Sequence, residues 1–133
     1  MANAIKAELA RELAEVELDL RKRQFLLALR WRERMQACLV PSELTFTEWL
    51  VLDAAWSLVE RTGDAVSQNQ LAKELELDAL TFWHAMAGLD HRGLVSRGCS
   101  MSGKAWRVFV TSKGADLLRA VKPRLERASA LSP

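Results

Sequence analysis

Apolar residues at Leu9, Leu13, Val16, Leu20, Leu27 and Trp31 recur at spacings of four, three, four, seven and four. That rhythm is a helical stripe close to a coiled-coil seam. Glycine and proline are absent before Pro41, and Ala, Leu, Glu, Arg and Lys dominate, so a single helix is predicted over residues 2 to about 39. At 1.5 Å per residue it would extend roughly 55 Å, more than a domain of this size needs. A helix that outreaches its own domain usually finds a second surface, most simply the same helix of another copy.

Downstream the pattern breaks into shorter elements. Thr45-Phe46-Thr47-Glu48 has the form of a capping box, with the Thr45 hydroxyl accepting from the Glu48 amide and the Glu48 carboxylate reaching back. It predicts a helix to about Arg61, with Trp49, Leu52, Ala55, Trp56 and Val59 buried and Thr62-Gly63-Asp64 closing it. Ser67-Gln68-Asn69-Gln70 opens a short helix with Leu71, Ala72 and Leu75 inward. Asp78 is placed to cap a further helix ending at Arg92, with Gly93 in the left-handed position after it. Phe82, Ala85, Met86 and Leu89 would form its core side. Residues 94–97 and the alternating 106–111 read as two strands around a small-residue turn at 98–103. A last helix carries Leu117, Leu118 and Val121, and is expected to bend or restart at Pro123.

Composition narrows the class. With 133 residues, 50% apolar and 27% charged, the chain has the makings of one globular domain, not a disordered segment. No stretch approaches the ~20 apolar residues of a membrane helix. The first eight residues carry a lysine and an acid and no apolar run, so no secretory signal is expected. Cys38 and Cys99 lie 61 positions apart without a CxxC, which supports neither a disulfide framework nor a zinc site and points to a reducing cytoplasm. His84 and His91 stand seven apart without a supporting carboxylate pattern, so no metal is expected. No catalytic triad, carboxylate pair or phosphate loop occurs, and neither an enzyme nor a cofactor is expected.

The net charge of +2 is a cancellation. Residues 1–40 hold eight basic and six acidic side chains, net +2; residues 41–92 hold three and nine, net −6; residues 93–133 hold eight and two, net +6. The positive excess therefore lies on the hairpin segment and the C-terminal helix.

Two short, tightly joined helices, the second ended by glycine and feeding a hairpin, have the order of a winged helix-turn-helix. The expected fold is mainly α with a small β-hairpin wing. The parts would be a dimerisation helix over 1–40, a winged DNA-binding region over 41–111 and a C-terminal dimerisation helix over 112–133. In such a fold the second helix reads the major groove while the hairpin tip reaches the neighbouring backbone or minor groove.

The residues resemble the MarR (multiple-antibiotic-resistance regulator) family of transcription factors. The similarity is carried by Leu44-Thr45 with Glu48-Trp49 and Val51-Leu52, by Val66-Ser67-Gln68-Asn69-Gln70-Leu71-Ala72, by Leu89-Asp90-His91-Arg92-Gly93-Leu94-Val95-Ser96-Arg97, by Thr111-Ser112-Lys113-Gly114 and by Pro123. It implies a homodimer on a pseudo-palindromic operator in double-stranded DNA, acting as a repressor and released by a small aromatic ligand or by oxidation. Where that family's wing carries an Asp-x-Arg pair, this chain has Ser102, Gly103 and Lys104.

Phosphate contacts are expected from Arg92, Arg97, Lys104 and Arg107, with Lys113 as a further candidate. Base reading would fall to Thr81, Trp83, His84 and Ala87, with Gln68 and Asn69 at a helix start. Trp83 would meet thymine methyls or sugars. Trp31, Arg34, Trp49, Leu52 and Trp56 are either an effector pocket, with Arg34 meeting a carboxylate, or plain core packing. The rival to a DNA-binding regulator is a winged-helix protein-interaction module that has lost operator binding. The acidic helices and the altered wing motivate it.

Overall fold

The computed structural model describes residues 1–99 and 106–130, so Lys104 and most of the expected turn lie outside the described residues. The order is α1 (Ala2–Leu39), a 3₁₀ turn (Val40–Ser42), α2 (Phe46–Thr62), β1 (Val66–Ser67), α3 (Gln68–Leu75), α4 (Ala79–His91), β2 (Val95–Cys99), β3 (Trp106–Val110) and α5 (Ser112–Ala130). The chain divides into two compact units, Met1–Arg34 and Met35–Pro133.

The first unit is helix alone. Every residue from 1 to 30 is exposed, including Leu9, Leu13, Val16, Leu20 and Leu27 of the apolar stripe. Its charged side chains pair along the helix, Glu8 with Arg11 and Glu17 with Arg21. Such solvated pairs add only tenths of a kcal/mol each.

The second unit holds the core. Local capping rules set its helix ends. Thr45 and Glu48 form the expected capping box, with Glu48 N donating to Thr45 Oγ1 at 3.0 Å and Thr45 N donating to Glu48 Oε1 at 2.9 Å. Gly63 and Gly93, at φ of 71° and 72°, close α2 and the turn after α4. The Gln36 side chain ties the end of α1 to the start of α2: its Oε1 accepts from Phe46 N at 2.7 Å and its Nε2 donates to the Leu44 carbonyl.

Some expectations are corrected. The buried side of α2 is Phe46, Val51, Leu52, Ala55 and Leu58, whereas Trp49, Trp56 and Val59 are half-buried. The α2 stripe is thus turned by one position, because α3, α4, α5 and the sheet all pack on it. The helix over 112–130 does not restart at Pro123 but continues through it. Pro123 sits on its exposed side, where water can satisfy the carbonyl that proline leaves unpaired. A third strand, β1, joins the hairpin in the order β1-β3-β2. Both pairings are antiparallel, with Val66 opposite Val108 and Arg97 opposite Val108 on β3's other side. Two residues are too short for alternation to announce a strand.

The two motifs flanking the hairpin lock together. Thr111 N donates to the Leu94 carbonyl, Thr111 Oγ1 donates to the Gly93 carbonyl at 2.6 Å and lies 3.0 Å from that of Leu94, and Gly114 N donates to Thr111 Oγ1. Lys113 Nζ donates to the Arg92 carbonyl at 2.8 Å. This knot fixes where the hairpin leaves the core.

Candidate nucleic-acid interface

The site is built on α3, α4 and the β2–β3 hairpin. Ser67 caps α3, accepting from Gln70 N at 3.4 Å. Glu76, at φ 51°, turns the chain out of α3, and Asp78 starts α4 by accepting from Thr81 N at 2.9 Å. The Thr81 hydroxyl also donates to Asp78. These bonds, the hydroxyl first, hold the Asp78 carboxyl below its ordinary value of 3.8. A lowered folded value means the cap's contribution is full above 3.8 and is lost as pH falls through the folded value. The gap in melting temperature between the wild type and Asp78→Ala should therefore be widest near neutrality and shrink below about pH 4. A pH-independent gap in thermal melts would count against this cap.

Helix α4 divides cleanly. Phe82, Ala85, Met86 and Leu89 are buried, as the periodicity predicts. Leu80, Trp83, His84, Ala87 and His91 face solvent. Leu80 is the residue that sequence reasoning missed. Its signal is present in the spacing: it lies three and four residues before Trp83 and His84 and seven before Ala87, so the four share one side of the helix.

The structure distributes the other sequence candidates unevenly. Asn69 is exposed at the start of α3, but Gln68 is 4% exposed and its Oε1 is buried without a partner. The expectation that Gln68 reaches DNA is corrected, because the first turn of α3 points that side chain into the core. The Arg92 guanidinium is tied to the Ser42 and Glu43 carbonyls. Arg97 makes two bonds to Asp90 Oδ2, from Nε at 3.2 Å and Nη2 at 3.0 Å. Arg107 Nη1 donates to the Ala65 carbonyl at 3.3 Å. Of the three, Arg97 has an acidic partner, which lowers the positive potential this surface offers a phosphate; Arg92 and Arg107 keep their charge but are held by backbone carbonyls.

Trp83, Asp90, Arg97 and Trp106 line a cleft of about 370 Å³ between α4 and the hairpin. Removing its carboxylate should change its electrostatics most. Asp90→Asn is expected to release Arg97, tighten binding to random-sequence duplex several-fold at low salt, and steepen the salt dependence by about one phosphate contact. An unchanged salt slope in anisotropy titrations would place Arg97 away from the DNA.

The proposed effector residues do not share one environment. Leu52 is fully buried in the core, which corrects its assignment to a ligand pocket. Trp49 packs on Phe46 with ring centroids 5.7 Å apart. Trp56 faces α5, with the Arg119 guanidinium 6.0 Å from its ring, and lines a cleft of about 260 Å³ with Thr111, Ser112 and Asp116 among others. Trp31 and Arg34 belong to the first unit and are half-buried, with Arg34 Nε buried and lacking a hydrogen-bond partner. Among the described residues, no group of three or more His, Cys, Asp or Glu is placed to hold a metal ion, and no helix is long and apolar enough to cross a membrane.

No protein-family model matches the chain. Solved structures do share its fold. A MarR-family transcriptional regulator from Rhodococcus sp. RHA1 is 23% identical at a TM-score of 0.74, covering 83% of this chain and 75% of that one. AbfR of Staphylococcus epidermidis is 18% identical at a TM-score of 0.76, covering 92% and 79%, and reduced AbfR has also been solved bound to DNA. CouR from Rhodococcus jostii RHA1, solved with p-coumaroyl-CoA, is 24% identical at a TM-score of 0.66, covering 77% and 69%. The fold of this chain is the MarR-like winged helix.

Proposed function

We propose that this chain is a DNA-binding transcriptional regulator working as a homodimer, with α4 in the major groove and the β2–β3 hairpin against the flanking backbone. The observation that carries the reading is the solvent-facing side of α4, set beside a hairpin whose exit is locked to α4's end by Thr111 and Lys113. That arrangement presents a helix and a wing together, as a groove-and-backbone contact requires. Related folds solved with DNA, AbfR among them, support it. The unburied stripe of α1 supplies the surface for the second copy, and two copies would meet successive half-sites of an operator. A dimer bound to an operator that overlaps a promoter would block transcription, which makes repression the expected sense of control.

Release by a small aromatic acid completes the proposal. Trp56 and Arg119 line one cleft, where Arg119 Nη1 is bonded to Asp116 at 2.8 Å; an aromatic carboxylate would take the place of Asp116 on the guanidinium beside the indole ring. The test is a fluorescence anisotropy titration with genomic fragments at low and moderate salt, repeated with aromatic acids. Saturable, salt-sensitive binding is expected; undetectable or salt-insensitive binding overturns the reading. The internal pairing of Arg92, Arg97 and Arg107 favours the second reading, a protein-interaction module. A stoichiometric protein partner without any DNA footprint would establish it.

A further inference from the structure

We infer that the exposed side of α4 reads thymine through its C5-methyl group, with Leu80 and Trp83 as the specificity-determining side chains. This rests on the DNA-binding reading and goes beyond it by naming the base chemistry recognised. Leu80 is 67% exposed and Trp83 47%, one turn apart on the same side of the helix, with Ala87 one turn further on. Between Asp78 and His91 the chain holds no Lys, Arg, Asn or Gln. Those are the side chains that read guanine O6/N7 or adenine N6/N7 by paired hydrogen bonds.

The remaining polar groups narrow the choice further. The Thr81 hydroxyl donates to Asp78. The guanidinium of Arg97, which lines the same cleft as Trp83, is held by Asp90. His84 and His91 are left as single-point hydrogen-bonding groups. The dominant chemistry on this surface is apolar, and the one apolar group on the natural base edges of the major groove is the thymine methyl.

Charge agrees with a nucleic-acid occupant. Between its capping Asp78 and Asp90 the helix has no acidic residue, and Asp90 is neutralised by Arg97 at 3.0 Å. Beyond its capping residue, the exposed side of α4 therefore carries no uncompensated negative charge to repel phosphates, despite the acidic balance of residues 41–92; the Asp78 carboxylate stands at the helix start, engaged by Thr81. Trp106, 54% exposed at the start of β3, forms the far wall of the cleft. It extends the apolar surface from the helix to the wing.

The experiment uses the full chain and a bound duplex chosen by selection from genomic DNA. Each thymine of the half-sites is replaced in turn by deoxyuridine, which removes the methyl and leaves base pairing intact. Losing one buried methyl should weaken binding by about threefold to fourfold, and the symmetric replacement in both half-sites by roughly tenfold. Leu80→Ala and Trp83→Ala, both at exposed positions that leave the core intact, should bind the thymine and uracil duplexes alike at the corresponding positions.

A wild type indifferent to uracil while still binding its site specifically would overturn the methyl reading and leave the DNA-binding reading standing. A uracil penalty that persists unchanged in both variants would overturn the roles of Leu80 and Trp83. Absence of specific DNA binding would overturn both readings, and the apolar side of α4 would then be a protein-docking surface.

Discussion

Leu13→Glu combined with Leu20→Glu is expected to convert the protein to a monomer and to weaken its binding to a two-half-site duplex by about two to four orders of magnitude. Of the apolar stripe, Leu9, Leu13, Val16, Leu20 and Leu27 all face solvent and Trp31 is half-buried. A helix with such a seam gains stability by laying it against another helix. Glutamate is a good helix former, so the substitutions leave α1 intact and act on the seam itself. Four buried carboxylates in the assembled pair would be too costly to desolvate.

The loss at DNA arises from geometry. Two linked half-sites act at high effective concentration, and a monomer forfeits that advantage. Light scattering reads the mass and anisotropy reads the affinity. A variant that remains dimeric would remove α1 from the proposed interface. A monomer with undiminished affinity would show that one protomer suffices on DNA.

Gly114→Ala should destabilise the fold by about 2–3 kcal/mol, lowering the melting temperature by roughly 10 °C. A Cβ at Gly114 would stand 2.2 Å from the Leu94 carbonyl oxygen and 3.1 Å from Val110 Cγ1. That carbonyl cannot easily withdraw, because it accepts from Thr111 N, lies against Thr111 Oγ1 and belongs to a fully buried residue. Relief would require α5 to move off the hairpin base, so loss of DNA binding should accompany the loss of stability.

Gly88→Ala serves as the contrast. Its Cβ would meet only the Glu48 carboxylate, at 2.4 Å from Oε2. The end of a flexible side chain can swing away, weakening one half of the capping box at Thr45. A gain of about 1 kcal/mol in helix propensity opposes that loss, so thermal melts should show little change. Equal damage from the two substitutions would contradict this account of the Leu94–Gly114 contact.

The asymmetry between these glycines could not have been read along the chain. Both sit in helices and neither has an unusual neighbour in sequence; only the approach of Leu94, twenty positions from Gly114, separates them. The same holds for the cations. Arg92, Arg97 and Arg107 are legible as basic residues near a hairpin, yet their partners are Ser42 and Glu43, Asp90, and Ala65. Net charge by segment locates positive residues without saying which are already paired. Gln68 illustrates the remaining difficulty: a polar residue at a helix start reads as surface, and its burial depends on how α3 is seated.

By itself the sequence determined the helices, their caps and the division of α4 into two faces. Those features depend on residues three or four apart, and the energies of capping, left-handed glycine and apolar periodicity are local. It also carried the ordered motifs that mark the winged-helix fold. The tertiary structure decided which charges are paired internally, that β1 completes the sheet, that α5 continues through Pro123 and that Gln68 is buried. Those outcomes depend on contacts between elements far apart in the chain, where packing and desolvation prevail over local preference.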